Sequence, residues 1–162
     1  MVLNNSDKNL INKSLSNKKT NKKLLTKITL KDKKKIDQIF EIEHQKEFEN
    51  RNCLECANCC KTTSPIFRDT DIKRISSFLK MKEHELINDL LFLDNENDYV
   101  LKNSPCSFLN DDNTCSIYNV RPLACKEYPH TNRKKMHQII DLTIKNSTIC
   151  PAVSNIITNI LK

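Results

Sequence analysis

Four thiols crowd into the run Cys53-Leu54-Glu55-Cys56-Ala57-Asn58-Cys59-Cys60, and four more follow at Cys106, Cys115, Cys125 and Cys150. Two cysteines separated by two residues can turn back and present both sulfurs to one metal. Zinc takes four such ligands tetrahedrally, at about 2.3 Å. Soft thiolates also select iron–sulfur clusters. The spacing from Cys53 to Cys59 is that of ferredoxin-type cluster runs, whose distant cysteine precedes a proline, as Cys150 precedes Pro151 here. The eight cysteines would fill two four-thiolate zinc sites, or one cubane cluster with four thiols left over. A metal that only staples the fold and a metal that is chemically active use the same ligands, so both readings stand. Cys59 and Cys60 are the discriminating pair. Neighbours in extended backbone point to opposite sides, so they serve two metals or leave one thiol outside the site.

Other chemistry finds little support. With no glycine in the chain there is no glycine loop to cradle a phosphate. Asp69 and Asp71 read as a helix cap, and Asp111 and Asp112 as a turn. His130 could supply a nitrogen ligand, but the thiols already suffice; His44, His84 and His137 give no reason for assignment. A site of four thiolates around zinc is negative. Arg121, Lys126, Arg133, Lys134 and Lys135 lie near Cys125 in sequence and could offset it, Arg121 beside Pro122 being the best placed.

The elements that must position these thiols follow from periodicity. Ile36, Ile39, Phe40 and Phe48 give an apolar stripe that predicts a helix over 32–50 leading into the cysteine run, with Glu41, Glu43 and Glu47 facing away. A second helix is predicted behind a cap at Asp69 or Thr70, with Ile72, Ile75, Phe78 and Leu79 on one face. A third covers 83–91. Asn95-Glu96-Asn97-Asp98 predicts a turn and Tyr99-Val100-Leu101 a short strand. Asn110-Asp111-Asp112-Asn113 would close a hairpin bringing Cys106 near Cys115. Without glycine, Asn and Asp are expected at left-handed turn positions. Pro151 opens a last helix with Val153, Ile156, Ile157, Ile160 and Leu161 inward. Cys150 then sits at its N-terminus, where the dipole favours thiolate.

The net charge of +7 is unevenly spread. Residues 1–35 hold eleven Lys and two Asp, a net of +9, so the remainder, with sixteen Lys and Arg against eighteen Asp and Glu, is −2. Residues 1–30 read as a disordered basic tail, and 31–162 as the cysteine-cluster metal-binding domain. Such a tail could bind nucleic acid, but no aromatics interleave its lysines, and a solvated extension is favoured. No apolar run resembles a signal peptide or approaches the roughly 18 residues of a membrane span, which predicts a cytosolic protein without disulfides. The fold expected is α+β: a small irregular domain of short helices and a minor hairpin around a Cys-rich metal centre.

The motifs together resemble the CxxCxxCC cysteine-cluster family (YkgJ-type), a zinc- or iron-chelating domain. The resemblance rests on Cys53-x-x-Cys56-x-x-Cys59-Cys60, Pro105-Cys106-Ser107-Phe108-Leu109, Cys115-Ser116-Ile117-Tyr118, Arg121-Pro122-Leu123-Ala124-Cys125, Tyr128-Pro129 and Cys150-Pro151, in that order. It covers about residues 50–152 and leaves the basic segment outside. It implies chelation of zinc or iron, an iron–sulfur cluster included. Some family members look like parts of proteins that methylate flagellin lysines, an activity that does not transfer to a chain little longer than the cluster domain. Two rival functions remain, an iron–sulfur redox or radical component and a zinc-stabilised nucleic-acid or protein adaptor.

Overall fold

The computed structural model describes residues 3–162. It is mostly helical with one two-stranded antiparallel hairpin, an α+β arrangement as expected. The chain divides into two compact units. The first holds the residues up to Cys56 together with Pro129–Lys162, and the second holds Ala57–Tyr128.

The first unit contains α1 (Asn5–Ser16), α2 (Lys18–Lys31), α3 (Lys33–Glu49), α4 (Cys53–Cys56), α9 (Ile140–Ser147) and α10 (Pro151–Ile160). Its core gathers Leu25, Ile36, Phe40, Met136, Ile140, Ile144, Val153, Ile156 and Ile157. α3 and α10 lie where periodicity predicts them, and Pro151 occupies the first turn of α10. Asp32 caps α3 by accepting from the N–H groups of Lys34 and Lys35 at 2.9 and 3.0 Å. Glu47 does not face away. It accepts from Arg51 Nε at 2.5 Å and from Asn155 Nδ2 at 2.6 Å.

The expectation of a structureless N-terminal segment needs correction, because Asn5–Ser16 and Lys18–Lys31 are helices. Leu25 is fully buried and Ile28 packs against the same core, while Lys19, Lys23 and Lys27 are exposed. α2 is therefore amphipathic with a narrow apolar stripe that the lysines obscure. α1 docks instead through polar contacts. Ser154 Oγ donates to the Leu10 carbonyl at 2.6 Å and pairs with Ser14 Oγ at 2.7 Å. The buried Asp7 receives Arg51 Nη1 at 2.9 Å.

The second unit runs through α5 (Asn58–Thr62), α6 (Asp69–Leu79), α7 (Glu83–Leu90), β1 (Leu91–Leu93), β2 (Tyr99–Leu101) and α8 (Leu123–Glu127). Its core is Phe67, Ile72, Ile75, Leu86, Leu91, Leu101, Phe108 and Ile117. Tyr99–Leu101 is the predicted strand; it pairs with β1 in the register Leu91 to Leu101. Leu91, expected in the preceding helix, therefore belongs to the sheet. On α6 the inward face is Ile72, Ile75 and Ser76, and Phe78 is half exposed. Its cap also differs. The Asp71 carboxylate accepts the Arg68 N–H at 3.1 Å, so the acid acts from the third helical position. Among the described residues the left-handed positions are Ala57, Lys80, Asn97, Asn113, His130 and Lys135. Asn supplies two of them; the rest fall to residues that carry a Cβ penalty there.

Candidate metal centre

Each cysteine is placed by a local backbone device. Asn52 Oδ1 accepts the Leu54 N–H at 3.0 Å and starts α4, which carries Cys53 and Cys56. Ala57, at φ 47°, precedes α5, the turn that carries Cys59 and Cys60. These two are therefore helical, not extended as expected, and their Sγ atoms lie 3.9 Å apart. Two thiolates bound tetrahedrally to one zinc stand roughly 3.8 Å apart by the same bond length. The pair can thus address one ion, and the opposite-sides argument does not hold here.

A short helix leaves its last carbonyls without partners. On α5 those carbonyls receive the next motif. The Cys60 carbonyl accepts the Cys106 N–H at 2.8 Å, and the Lys61 carbonyl accepts the Ser104 hydroxyl at 2.9 Å. From Cys106 the chain enters the predicted hairpin. Asn110 N–H meets the Thr114 carbonyl at 2.9 Å, Asn113 takes φ 67°, and Leu109 bridges to Cys115. Cys125 follows on α8, its N–H on the Pro122 carbonyl at 3.0 Å. Cys150, in the first unit, anchors its N–H on the Asn146 carbonyl at 2.8 Å and caps α10.

The electrostatics sort the thiols into two groups. Burial pushes Cys125 up to about 12, the negative charge of Cys60, Cys106 and Cys115 adds to it, and Arg121 opposes it. Cys106 is raised by burial and by Cys60 and Cys115, against the N–H groups of Phe108 and Leu109. Cys115 is raised by burial and Cys60, against the Ile117 N–H and Arg121. Cys60 moves the other way, down to about 7. The Cys59 hydrogen bond is the main cause, burial resists it and Lys61 helps. So Cys60, Cys106, Cys115 and Cys125 share a neighbourhood in the second unit, with Cys59 beside Cys60. In the first unit, burial pushes Cys150 up to about 11, with Cys53 and Cys56 adding to the rise. The Val153 and Ala152 N–H groups do pull it down, as a helix N-terminus should, but burial outweighs them.

All eight cysteines are thiols rather than disulfides. Among the described residues, no three His, Cys, Asp or Glu side chains are drawn onto a common point that could hold a metal ion. Soft sulfur donors within one another's electrostatic reach suit zinc or iron in kind.

Several neighbours escape sequence reasoning. Arg121 is legible as a charge near Cys125; its guanidinium also sits 3.8 Å over the Tyr118 ring and donates to the Tyr118 carbonyl at 2.7 Å. Lys61 carries no signal beyond adjacency. A cleft of about 690 Å³ beside Cys56 is lined in part by Asp7, Glu47, Arg51 and Glu55. Within it, Glu47 and Asp7 raise Arg51 despite its burial. His44 is held by Thr131 Oγ1 at 2.7 Å and lies against Phe48, a packing role. His130 is half-buried at φ 65°.

Residues 52–151 match the model of the CxxCxxCC family, described as "Putative zinc- or iron-chelating domain". The match covers more than half of the chain, which belongs to this family. No curated protein and no solved structure matches it. No helix among the described residues is long and apolar enough to cross a membrane.

Proposed function

We propose that the protein chelates zinc or iron through a ligand pool of Cys53, Cys56, Cys59, Cys60, Cys106, Cys115, Cys125 and Cys150. Metal binding in general is supported by family membership. The finer assignment rests on one observation, the meeting of four separate motifs in the second unit. There the Cys60 carbonyl holds the Cys106 N–H, and Cys125 feels the charge of Cys60, Cys106 and Cys115. On this reading Cys60, Cys106, Cys115 and Cys125 would supply one four-thiolate site. Cys53, Cys56 and Cys150 form a second group in the first unit, and Cys59 remains beside Cys60. The metal-binding protein acts in the cytoplasm, with α1 and α2 part of its first unit. The lysine-rich segment takes no part in ligation.

Anaerobic purification followed by metal, acid-labile sulfide and absorption analysis tests this reading. Bound zinc or iron in stoichiometric amount supports it. Brown protein with matching iron and sulfide identifies an iron–sulfur cluster and brings the redox or radical role forward. Colourless zinc protein eliminates that role. Cys56→Ser should lower both metal content and melting temperature, because metal binding and folding are coupled. Unchanged values for both would refute the ligand assignment.

A further inference from the structure

α8 begins directly after Pro122, and no side chain of its own segment caps it. Its first N–H, that of Leu123, is one of the donors a helix leaves without an internal partner. That donor is met from far away in sequence. Asp71 on α6 accepts the Leu123 N–H at 3.2 Å. Asp71 is 1% exposed and accepts twice more, from the Arg68 N–H at 3.1 Å and from Arg74 Nη2 at 2.6 Å. Arg74 then grips the strand of chain just before α8. Its Nη2 donates to the Arg121 carbonyl at 2.9 Å and its Nε to the Val120 carbonyl at 3.3 Å. One buried carboxylate and one guanidinium thus hold three backbone groups, at Val120, Arg121 and Leu123. Cys125 hangs from the same clamp, because its N–H bonds the Pro122 carbonyl at 3.0 Å.

We propose that Asp71, through Arg74 and the Leu123 N–H, is the positioning residue for Cys125 and sets how firmly the second unit holds its metal. The inference rests on the reading of Cys125 as a ligand. Neither Asp71 nor Arg74 is a soft donor, and neither has to touch the ion. Their effect is exerted on the backbone that carries the thiol. Groups that orient a metal ligand typically control affinity about 10–100-fold. Arg74 also brings a permanent positive charge to the Val120–Arg121 segment, so the pair cannot be replaced by an apolar contact without freeing two carbonyls.

The test compares Asp71→Asn, Arg74→Gln and a control, Leu86→Ala, in the full chain. Leu86 is fully buried in the same core and takes part in none of the clamp's hydrogen bonds. Zinc affinity is read by competition with a chromophoric chelator. Thiolate number is read from sulfur-to-metal charge transfer after loading with cobalt(II). Asp71→Asn should weaken zinc about 10–100-fold and lose the charge-transfer intensity of one thiolate. Arg74→Gln, on a partly exposed side chain, should follow in the same direction and serves where Asp71→Asn does not fold. Leu86→Ala should lower the melting temperature and leave the cobalt spectrum intact. In a Cys125→Ser background, Asp71→Asn should cost no further affinity, since the thiol it positions is gone. Wild-type affinity and spectrum in Asp71→Asn would overturn the proposal, whatever happens to melting. So would equal spectral loss in Leu86→Ala, or an undiminished penalty in the Cys125→Ser background. A wild-type chain that shows no thiolate-bound cobalt or zinc overturns the ligand reading itself, a distinct result.

Discussion

Cys60 should react faster than Cys106, Cys115, Cys125 and Cys150 in the chelator-treated protein near neutrality. Its Sγ shares a hydrogen bond with Cys59 Sγ at 3.9 Å, which with Lys61 lowers it from 9.0 to about 7 despite burial. At pH 7 about half of Cys60 is thiolate, whereas a thiol at 9.0 is about 1% ionised, a ratio of about fifty. A less basic thiolate is a poorer nucleophile. With a Brønsted slope of about 0.4–0.5, the two-unit drop costs about six- to tenfold, leaving a net advantage of about five- to eightfold. Cys125, pushed up to about 12, should react roughly fiftyfold more slowly than an ordinary thiol by the same arithmetic. The assay is brief reaction with an aromatic disulfide at pH 7, then trypsin and fragmentation mass spectrometry. Cys60 lies in the peptide from Asn52 to Lys61, and Cys125 in the one from Asn103 to Lys126. Cys59→Ala removes the stabilising donor, so labelling of Cys60 should fall to that of an ordinary thiol or below. Uniform labelling of all eight cysteines, or a Cys60 rate indifferent to Cys59→Ala, would refute the reasoning.

The same shifts fix a pH profile for the metal-free chain. Cys60, lowered in the fold, adds stability as pH rises from 7 to 9; Cys125 and Cys150, raised to about 12 and 11, remove it above 9, where only the unfolded chain ionises them. Thermal midpoints in chelator should therefore fall above pH 9, and Cys125→Ser should flatten that fall; an equally steep fall would count against the assignment. Leu25→Ala, at a fully buried site, should cost about 2–5 kcal/mol, each kcal/mol lowering the midpoint by about 2–4 °C. An unchanged midpoint would return the N-terminal helices to the status of a loose tail. Ala57→Gly should stabilise by about 0.5–1 kcal/mol in denaturant titration, because an L-residue at φ 47° carries roughly 1–2 kcal/mol of strain and glycine returns part of it as chain entropy. A loss of stability would contradict that balance.

What could be read from sequence was local. The helices at 33–49, 69–79, 83–90 and 151–160 come from apolar stripes, and Pro151 marks its own helix start. The hairpin from Cys106 to Cys115 comes from its Asn and Asp turn, with Asn113 taking the left-handed position. What stayed hidden depended on distant partners or on pieces too short for a period. α1 is buried through Ser14, Ser154, Asp7 and Arg51, none of which contributes to a hydrophobic pattern. α5, at five residues, gives no periodicity, so the helical placement of Cys59 and Cys60 could not be foreseen. Asp71 was legible as a cap for its own helix, but its service to Leu123 spans 52 residues. Nor does sequence mark Lys80 or Lys135 as left-handed in a chain without glycine.

These placements bear on what a metal adds to the protein. In the smallest zinc domains the metal creates the fold, and the chain without it is unfolded. Here each unit has an apolar core of its own, around Phe40 and Ile156 in one and Ile75 and Leu86 in the other. The cysteine backbones are also tied down without any ion. Cys60 is held through Cys106, Cys115 through Leu109, Cys125 through Pro122, and Cys150 through Asn146. On these fixed backbones each cysteine side chain adds a single χ1 rotation. On the proposed ligand set a metal would have to overcome proton loss from thiols that burial holds protonated, Cys125 and Cys150 above all, more than chain entropy. If the proposed ligands bind, each proton released would make affinity rise with pH, and Cys60, lowered to about 7, would give up its proton more readily than Cys106, Cys115, Cys125 or Cys150.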